Sequence, residues 1–117
     1  MAIIIQDNVF TLQTKNSTYQ MKADSKGILL HTYYGKKTDA SDYSYLVSMA
    51  DRGFSGNIYE AREDRTYSLD FLPQEFPVCG SGDYRVDCLH ADLGQGVSDC
   101  LMFFDSYQVS KGKYGLK

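Results

Sequence analysis

Four short runs of apolar or alternating residues follow one another near the start of the chain, and each run ends at turn-forming residues. The runs occupy residues 3–5, 9–13, 18–22 and 28–34. Asp7 and Asn8 mark the first turn, and residues 24–27 mark a later one. Side chains alternate between the two faces of a strand, so Phe10 is expected on one face and Val9 on the other. Short strands joined by short turns predict an antiparallel β-meander.

The middle of the chain shows no convincing period. Residues 42–49 are compatible with one or two helical turns, whereas residues 51–65 predict a long irregular loop. Long structured loops are uncommon in compact domains and often carry function. Strands are expected again later in the chain, at residues 66–72, 85–91, 100–104 and 107–109. Residues 111–117 are typical of a connector.

Composition indicates one folded domain. The chain has 117 residues, 43% of them apolar, and its ten Tyr and six Phe need a folded interior. The net charge of −3 and the lack of a basic patch argue against nucleic acid as a partner. No apolar run approaches the length of a membrane span, and the first residues do not resemble a signal peptide. A cytoplasmic location away from membranes is therefore expected.

Three cysteines are an odd number for a disulfide framework, so reduced thiols are expected. A metal site can be imagined from Cys79, Cys88, His90 and Cys100, but no C-x-x-C occurs, and zinc sites usually rest on close ligand pairs. We expect scattered thiols, no metal and no cofactor. His31 and His90 stand in predicted strands without a motif, which favours histidines satisfied by their surroundings over a catalytic base.

Motifs for enzyme chemistry are weak. No nucleophile elbow or phosphate-binding loop is present, and carboxylate pairs such as Asp83 and Asp87 are expected on solvated surfaces. The loop at residues 51–65 combines carboxylates, arginine and aromatic rings, the side-chain types that contact sugars. Those residues are Asp51, Arg52, Phe54, Asn57, Tyr59 and Glu60. From the residues alone, the chain is a mostly β domain with a polar loop.

Several segments, taken in order, resemble the N-terminal domain of glycoside hydrolase family 36 α-galactosidases. Two of them carry the strongest likeness: Asp-Arg-Gly-Phe-Ser-Gly-Asn at residues 51–57 and Leu-Pro-Gln-Glu-Phe-Pro at residues 72–77. The others lie at residues 12–19, 29–37, 65–70, 80–85 and 111–113. The chain departs from the family at Tyr34, where Trp is common, and at Cys79, Tyr84, Asp87 and Cys88.

This resemblance implies an all-β fold, an antiparallel β-sandwich of the supersandwich type with a long irregular loop and at most short helical turns. It implies an N-terminal domain over residues 1–110, with residues 111–117 starting a linker to a (β/α)₈ barrel. Family members hydrolyse terminal α-galactosyl groups of melibiose- and raffinose-type sugars with retention, through two barrel carboxylates. The chain alone is therefore expected to be inactive and to fold poorly or associate.

The resemblance also assigns roles to two residues. Asp51 would hydrogen-bond hydroxyls of the α-galactoside once the barrel is present, and Arg52 would position the loop, meet the barrel or form an exposed salt bridge. The domain would complete the sugar pocket and support contacts with its own barrel and with neighbouring subunits. The alternative is a free-standing sugar-binding or protein-interaction β-sandwich module.

Overall fold

The computed structural model describes residues 1–51, 53, 57–80, 82–113 and 115. Four strands form one antiparallel sheet in the order β1-β2-β3-β4. They are β1 at Ala2–Gln6, β2 at Val9–Gln13, β3 at Ser17–Ala23 and β4 at Leu29–Lys36. The predicted meander and the all-β class are thus confirmed. The described residues contain no second sheet, so the sandwich stays a prediction.

The first hairpin turns on two residues. Asp7 and Asn8 adopt left-handed φ values of 51° and 60°, and Gln6 pairs with Val9 beyond them. Two consecutive left-handed residues form the tight turn that suits the twist of a hairpin, and Asp and Asn tolerate this conformation well.

The cross-strand pairing confirms the predicted faces. Phe10 pairs with Met21, and Leu12 pairs with Tyr19, so these four side chains share one face of the sheet. The register of the pairing between β3 and β4 shifts immediately after Gln20.

The hydrophobic core depends on irregular chain as much as on the sheet. Ile28 and Leu30 pack in one buried cluster with side chains from the segment 58–72. That segment supplies Ile58, Ala61, Tyr67, Leu69 and Leu72.

Residues 66–72 do not form the expected strand. Turns organise this stretch, in which Tyr67 N–H donates to Asp64 O at 3.1 Å and Leu72 N–H donates to Ser68 O at 3.0 Å. Turns allow a short segment to direct several side chains inward, which a strand with alternating faces does not. The expected short helical turns occur as 3₁₀-helices at Ser44–Leu46 and Tyr59–Ala61.

The segment at residues 72–77 docks on the outer edge of β4. His31 N–H donates to Pro73 O at 2.7 Å, Glu75 N–H donates to Leu29 O at 2.9 Å, and Leu30 bridges Gln74. These bonds satisfy backbone groups of an edge strand that would otherwise face solvent.

The later predicted strands are wrong in this structure. Within residues 85–91, only Leu89 forms a bridge, with Val78. Residues 100–104 and 107–109 also lack strand pairing. Their apolar side chains pack on the sheet instead: the ring of Phe10 lies 5.7 Å from Phe104 and 5.1 Å from Tyr107. The described residues include no helix with the length and apolarity to cross a membrane.

Candidate functional site

Asp51 stands in a tight turn at the start of the long loop. Its Oδ1 accepts the Gly53 N–H at 2.8 Å, and Gly53 has a left-handed φ of 78°. A Cβ at Gly53 would meet no atom within 4 Å, so backbone conformation and not crowding favours glycine here. The Asp51 side chain remains 45% exposed. The carboxylate is therefore held in one orientation and is still open to a ligand.

Arg65 is the charged partner of Asp51. The Arg65 Nε lies 3.4 Å from Asp51 Oδ2, and the arginine side chain is 69% exposed. Exposed pairs of this kind add only about 0–1 kcal/mol of stability, so the contact orients the carboxylate more than it stabilises the fold. The resemblance assigned Arg52 to positioning the loop, to meeting the barrel or to an exposed salt bridge. Arg52 lies outside the described residues, and the structure brings Arg65 to Asp51.

The far end of this loop is anchored in the core. Ile58 and Ala61 are 5% and 3% exposed. The Asn57 Nδ2 donates to Ala61 O at 2.6 Å and to Asp64 O at 2.7 Å, which closes the turn. Each of these carbonyls also accepts a backbone N–H, Ala61 O from Asp64 and Asp64 O from Tyr67, so the Asn57 side chain reinforces a turn that the backbone already forms.

The near side of the loop is anchored on the sheet. Gln20 on β3 donates to Ser41 O at 2.7 Å and accepts from Tyr43 N–H at 3.0 Å. Lys22 donates to Asp42 Oδ2 at 2.7 Å. The segment that leads to Asp51 is therefore tied to the sheet by side chains.

The other predicted sugar contacts are only partly described. Tyr59 is 75% exposed, and Arg62 stacks over its ring at 4.8 Å. Glu60 is exposed. Phe54 lies outside the described residues, so no arrangement of all these groups can be stated.

A cleft of about 460 Å³ separates the sheet from the first 3₁₀-helix. Its charged lining residues are Lys22 and Asp24, and Val47 and Met49 close its apolar side. Asp51 does not line this cleft. Its carboxylate belongs to the outer surface of the domain.

A polar cluster joins β3 and β4 to the segment at residues 72–77. The Tyr19 hydroxyl donates to Glu75 Oε1, and His31 Nδ1 lies 3.1 Å from the same oxygen. Burial, reinforced by Glu75, raises the pKa of Tyr19 to about 12, so the hydroxyl remains a donor at neutral pH. His31 has the satisfied environment that the sequence predicted.

Asp83 is not on a solvated surface, so that expectation was wrong. It is 8% exposed, and Arg85 donates to its two oxygens at 2.9 Å each. Burial alone raises the pKa of Asp83, but the hydrogen bonds from Arg85 outweigh it and the pKa is lowered. Arg85 also donates to Leu69 O and Leu72 O, which explains the burial: the ion pair fastens the core segment.

The three cysteines are unpaired. Ligand atoms of Cys79, Asp87 and His90 lie within 4.8 Å of one another. Sequence reasoning had dismissed Cys79 and His90 because it looked for close cysteine pairs. The available signal was the spacing of Asp87 and His90, two potential ligands three residues apart.

The described residues define an all-β domain in which the irregular segment between the two 3₁₀-helices presents an oriented carboxylate. Residues 27–117 match the family model for the glycosyl hydrolase family 36 N-terminal domain. The chain therefore belongs to this family.

Relatives and solved structures agree with the assignment. The chain is 52% identical over 119 residues to the bifunctional alpha-galactosidase/sucrose kinase AgaSK of Mediterraneibacter gnavus. It is 32% identical over 112 residues to the alpha-galactosidase Mel36A of Lactobacillus acidophilus. These matches cover 100% and 96% of this chain.

The structure superimposes on the galactosidase domain of AgaSK with a TM-score of 0.93 at 51% identity, covering 98% of this chain and 16% of that one. A variant of AgaA from Geobacillus stearothermophilus, in complex with 1-deoxygalactonojirimycin, gives a TM-score of 0.75 at 31% identity over 84% of this chain and 13% of that chain. The chain spans 13% of the length of AgaSK and 15% of that of Mel36A.

Proposed function

We propose that this chain is the non-catalytic N-terminal domain of an α-galactosidase acting on terminal α-galactosyl groups of melibiose- and raffinose-type sugars. In this role it completes the sugar pocket of a catalytic barrel. The observation that carries the proposal is the oriented, exposed carboxylate of Asp51 in a chain of this family. Solved relatives include a family 36 galactosidase in complex with raffinose.

The chemistry of Asp51 suits a sugar hydroxyl. A carboxylate offers about four acceptor positions, and the Gly53 N–H and the Arg65 Nε leave others open. Charge-assisted hydrogen bonds to hydroxyls are strong and fix the orientation of the sugar. Arg52 is assigned to positioning this loop or meeting the barrel.

Exposed apolar groups support the proposed contacts with the barrel and with neighbouring subunits. Ile3 and Ile4 on the edge strand β1 are 42% and 40% exposed, and Met102 and Phe103 are 49% and 43% exposed. An open strand edge with exposed apolar side chains, as on β1, is typical of a surface covered in an assembly, and so are large exposed apolar groups elsewhere.

The proposed layout follows from the family. Residues 1–110 form the N-terminal β-sandwich domain, and residues 111–117 begin the linker to the barrel. The proposed location is the cytoplasm, where three unpaired cysteines remain reduced.

The test is a hybrid protein in which this chain replaces the 119 matched residues of AgaSK. The Asp51→Asn hybrid removes the charge and keeps the size of the side chain. Hydrogen bonds to charged groups contribute about 1.5–3 kcal/mol, so kcat/KM for melibiose is expected to fall about 10- to 100-fold.

Asp92 provides a matched control. Its Oδ1 accepts the Gly94 N–H at 2.8 Å, the same Asp-x-Gly turn on another exposed loop. Asp92→Asn should leave kcat/KM unchanged. Equal activity of the two variants would contradict the role of Asp51.

The alternative, a free-standing sugar-binding module, is tested on the 117-residue chain alone. Titration with melibiose should give no saturable heat, and an aryl α-galactoside should not be hydrolysed. Saturable heat would favour the free-standing module, and turnover would exclude a non-catalytic domain.

A further inference from the structure

We propose that Cys79, Asp87 and His90 form a binding site for a divalent cation of the zinc class. One potential ligand atom from each residue lies within 4.8 Å of the other two. Thiolate, carboxylate and imidazole together are a ligand set that suits zinc, while calcium and magnesium prefer oxygen ligands. This inference does not depend on the role of Asp51.

The backbone brings the three ligands together. Val78 and Leu89 form a parallel bridge, and on either side of it Cys79 N–H donates to Leu89 O at 3.2 Å and Cys88 N–H donates to Pro77 O at 2.8 Å. Because this bridge fixes two chain segments side by side, Cys79 stands opposite the pair Asp87 and His90.

One member of the cluster carries an unsatisfied oxygen. The Oδ2 of Asp87 is buried and makes no hydrogen bond. The His90 Nδ1 lies 3.4 Å away, in ion-pair range but without hydrogen-bond geometry. A buried oxygen without a partner costs free energy, and a bound cation would remove that cost.

The distances require only a small contraction. Atoms around a tetrahedral zinc stand about 3.3 to 3.6 Å apart when the bonds are about 2.0 to 2.3 Å long. The His90 side chain is 65% exposed and can move inward without disturbing the core. Three protein ligands leave a fourth position, which we assign to water.

A cation here would join two parts of a region that has little regular secondary structure. Between residues 77 and 100, regular pairing among the described residues is limited to the Val78–Leu89 bridge. A metal that joins Cys79 to His90 closes the connecting loop and stabilises the folded state that binds it.

Because the isolated chain is expected to fold poorly or associate, the test uses the hybrid with AgaSK. The chelator-treated hybrid is titrated with Co²⁺, which replaces zinc and reports thiolate ligands by charge-transfer absorption. We expect a band from a single thiolate of this chain and its displacement by Zn²⁺. Zn²⁺ should also raise the Tm of the hybrid.

Three variants assign the ligands. Cys79→Ser should abolish the thiolate band. His90→Gln should weaken metal binding more than about tenfold, because losing only a residue that hydrogen-bonds to a metal ligand already lowers metal affinity about tenfold or more. Cys88→Ser is the matched control, since Cys88 is exposed and adjacent to Asp87 but outside the cluster. It should bind like the parent.

Because the His90 side chain is mostly exposed, His90→Gln keeps the packing intact and serves if Cys79→Ser fails to fold. In that variant the rise in Tm with Zn²⁺ should disappear while the circular dichroism spectrum is unchanged. The proposal is overturned if the parent shows no thiolate band, if His90→Gln binds like the parent, or if Cys88→Ser loses binding as Cys79→Ser does.

Discussion

Gln20 is the polar hub that ties the sheet to the segment leading toward Asp51. Its side chain is 0% exposed and uses its full hydrogen-bonding capacity. The Nε2 donates to Thr11 Oγ1 at 3.0 Å and to Ser41 O at 2.7 Å, while the Oε1 accepts from Thr32 Oγ1 at 2.9 Å and from Tyr43 N–H at 3.0 Å. A buried amide with four partners rigidifies its surroundings.

Replacing Gln20 by Met keeps the length of the side chain and removes all four bonds. The hydroxyls of Thr11 and Thr32 can rotate toward other partners, but the Ser41 carbonyl and the Tyr43 N–H are fixed. At about 1 kcal/mol for each of the four lost hydrogen bonds, the cost is about 4 kcal/mol, and burial of the thioether side chain returns about 1–2 kcal/mol. We therefore expect Gln20→Met to lower the free energy of unfolding by about 2–3 kcal/mol.

The assay is urea unfolding of the chain at low concentration, followed by circular dichroism. With a slope of about 1–3 kcal/mol per M, the midpoint should fall by about 0.7 M or more. Gln6→Met is the control, because Gln6 is an exposed residue of β1, and its midpoint should not change. A midpoint for Gln20→Met within about 0.3 M of the parent midpoint corresponds to a change in the free energy of unfolding of under about 1 kcal/mol. That result would refute the role of Gln20 as a polar hub.

Two further predictions concern the segment after the core. The hydrogen bonds from Arg85 lower the pKa of Asp83, so its contribution to stability is present above the usual Asp pKa and is lost as pH falls through the lowered value. The Tm difference between parent and Asp83→Asn should be largest at neutral pH and shrink below about pH 4; a constant difference would contradict this. Gly80→Ala should destabilise more than Gly94→Ala in thermal unfolding. Both have left-handed φ, at 83° and 88°, but a Cβ at Gly80 would lie 2.8 Å from the Asp99 backbone, and one at Gly94 would meet nothing within 4 Å. Equal decreases in Tm would contradict this prediction, because they would mean that backbone strain alone destabilises the two variants.

The four strands could be predicted because their signal is local. Alternating side chains and the Asp7-Asn8 turn define the meander without reference to the rest of the chain. The run at residues 100–104 misled this reasoning, since its composition favours a strand. Pairing needs a free partner edge, whereas this run makes isolated backbone bonds, from Cys100 N–H to Cys79 O at 3.3 Å and from Phe104 N–H to Gly27 O at 2.6 Å.

The site was predictable only in part. The side-chain types of the loop made Asp51 one of six candidates, and only the family resemblance singled it out as a proposed substrate contact. Its partner Arg65 is fourteen positions away in the chain, and the anchoring of the loop by Gln20 depends on contacts more than twenty residues apart. The burial of Asp83 was not predicted, because the sequence does not show whether a carboxylate forms a buried ion pair with an arginine.

The central claim is that this chain contributes Asp51 to a galactosyl pocket formed with a catalytic barrel. The most direct measurement is kcat/KM for melibiose in the hybrid with AgaSK, compared between Asp51→Asn and Asp92→Asn. The account predicts that kcat/KM of the Asp51→Asn hybrid is about one tenth of that of the Asp92→Asn hybrid or lower, given the strength of hydrogen bonds to a charged group. Equal values in two folded variants would contradict it.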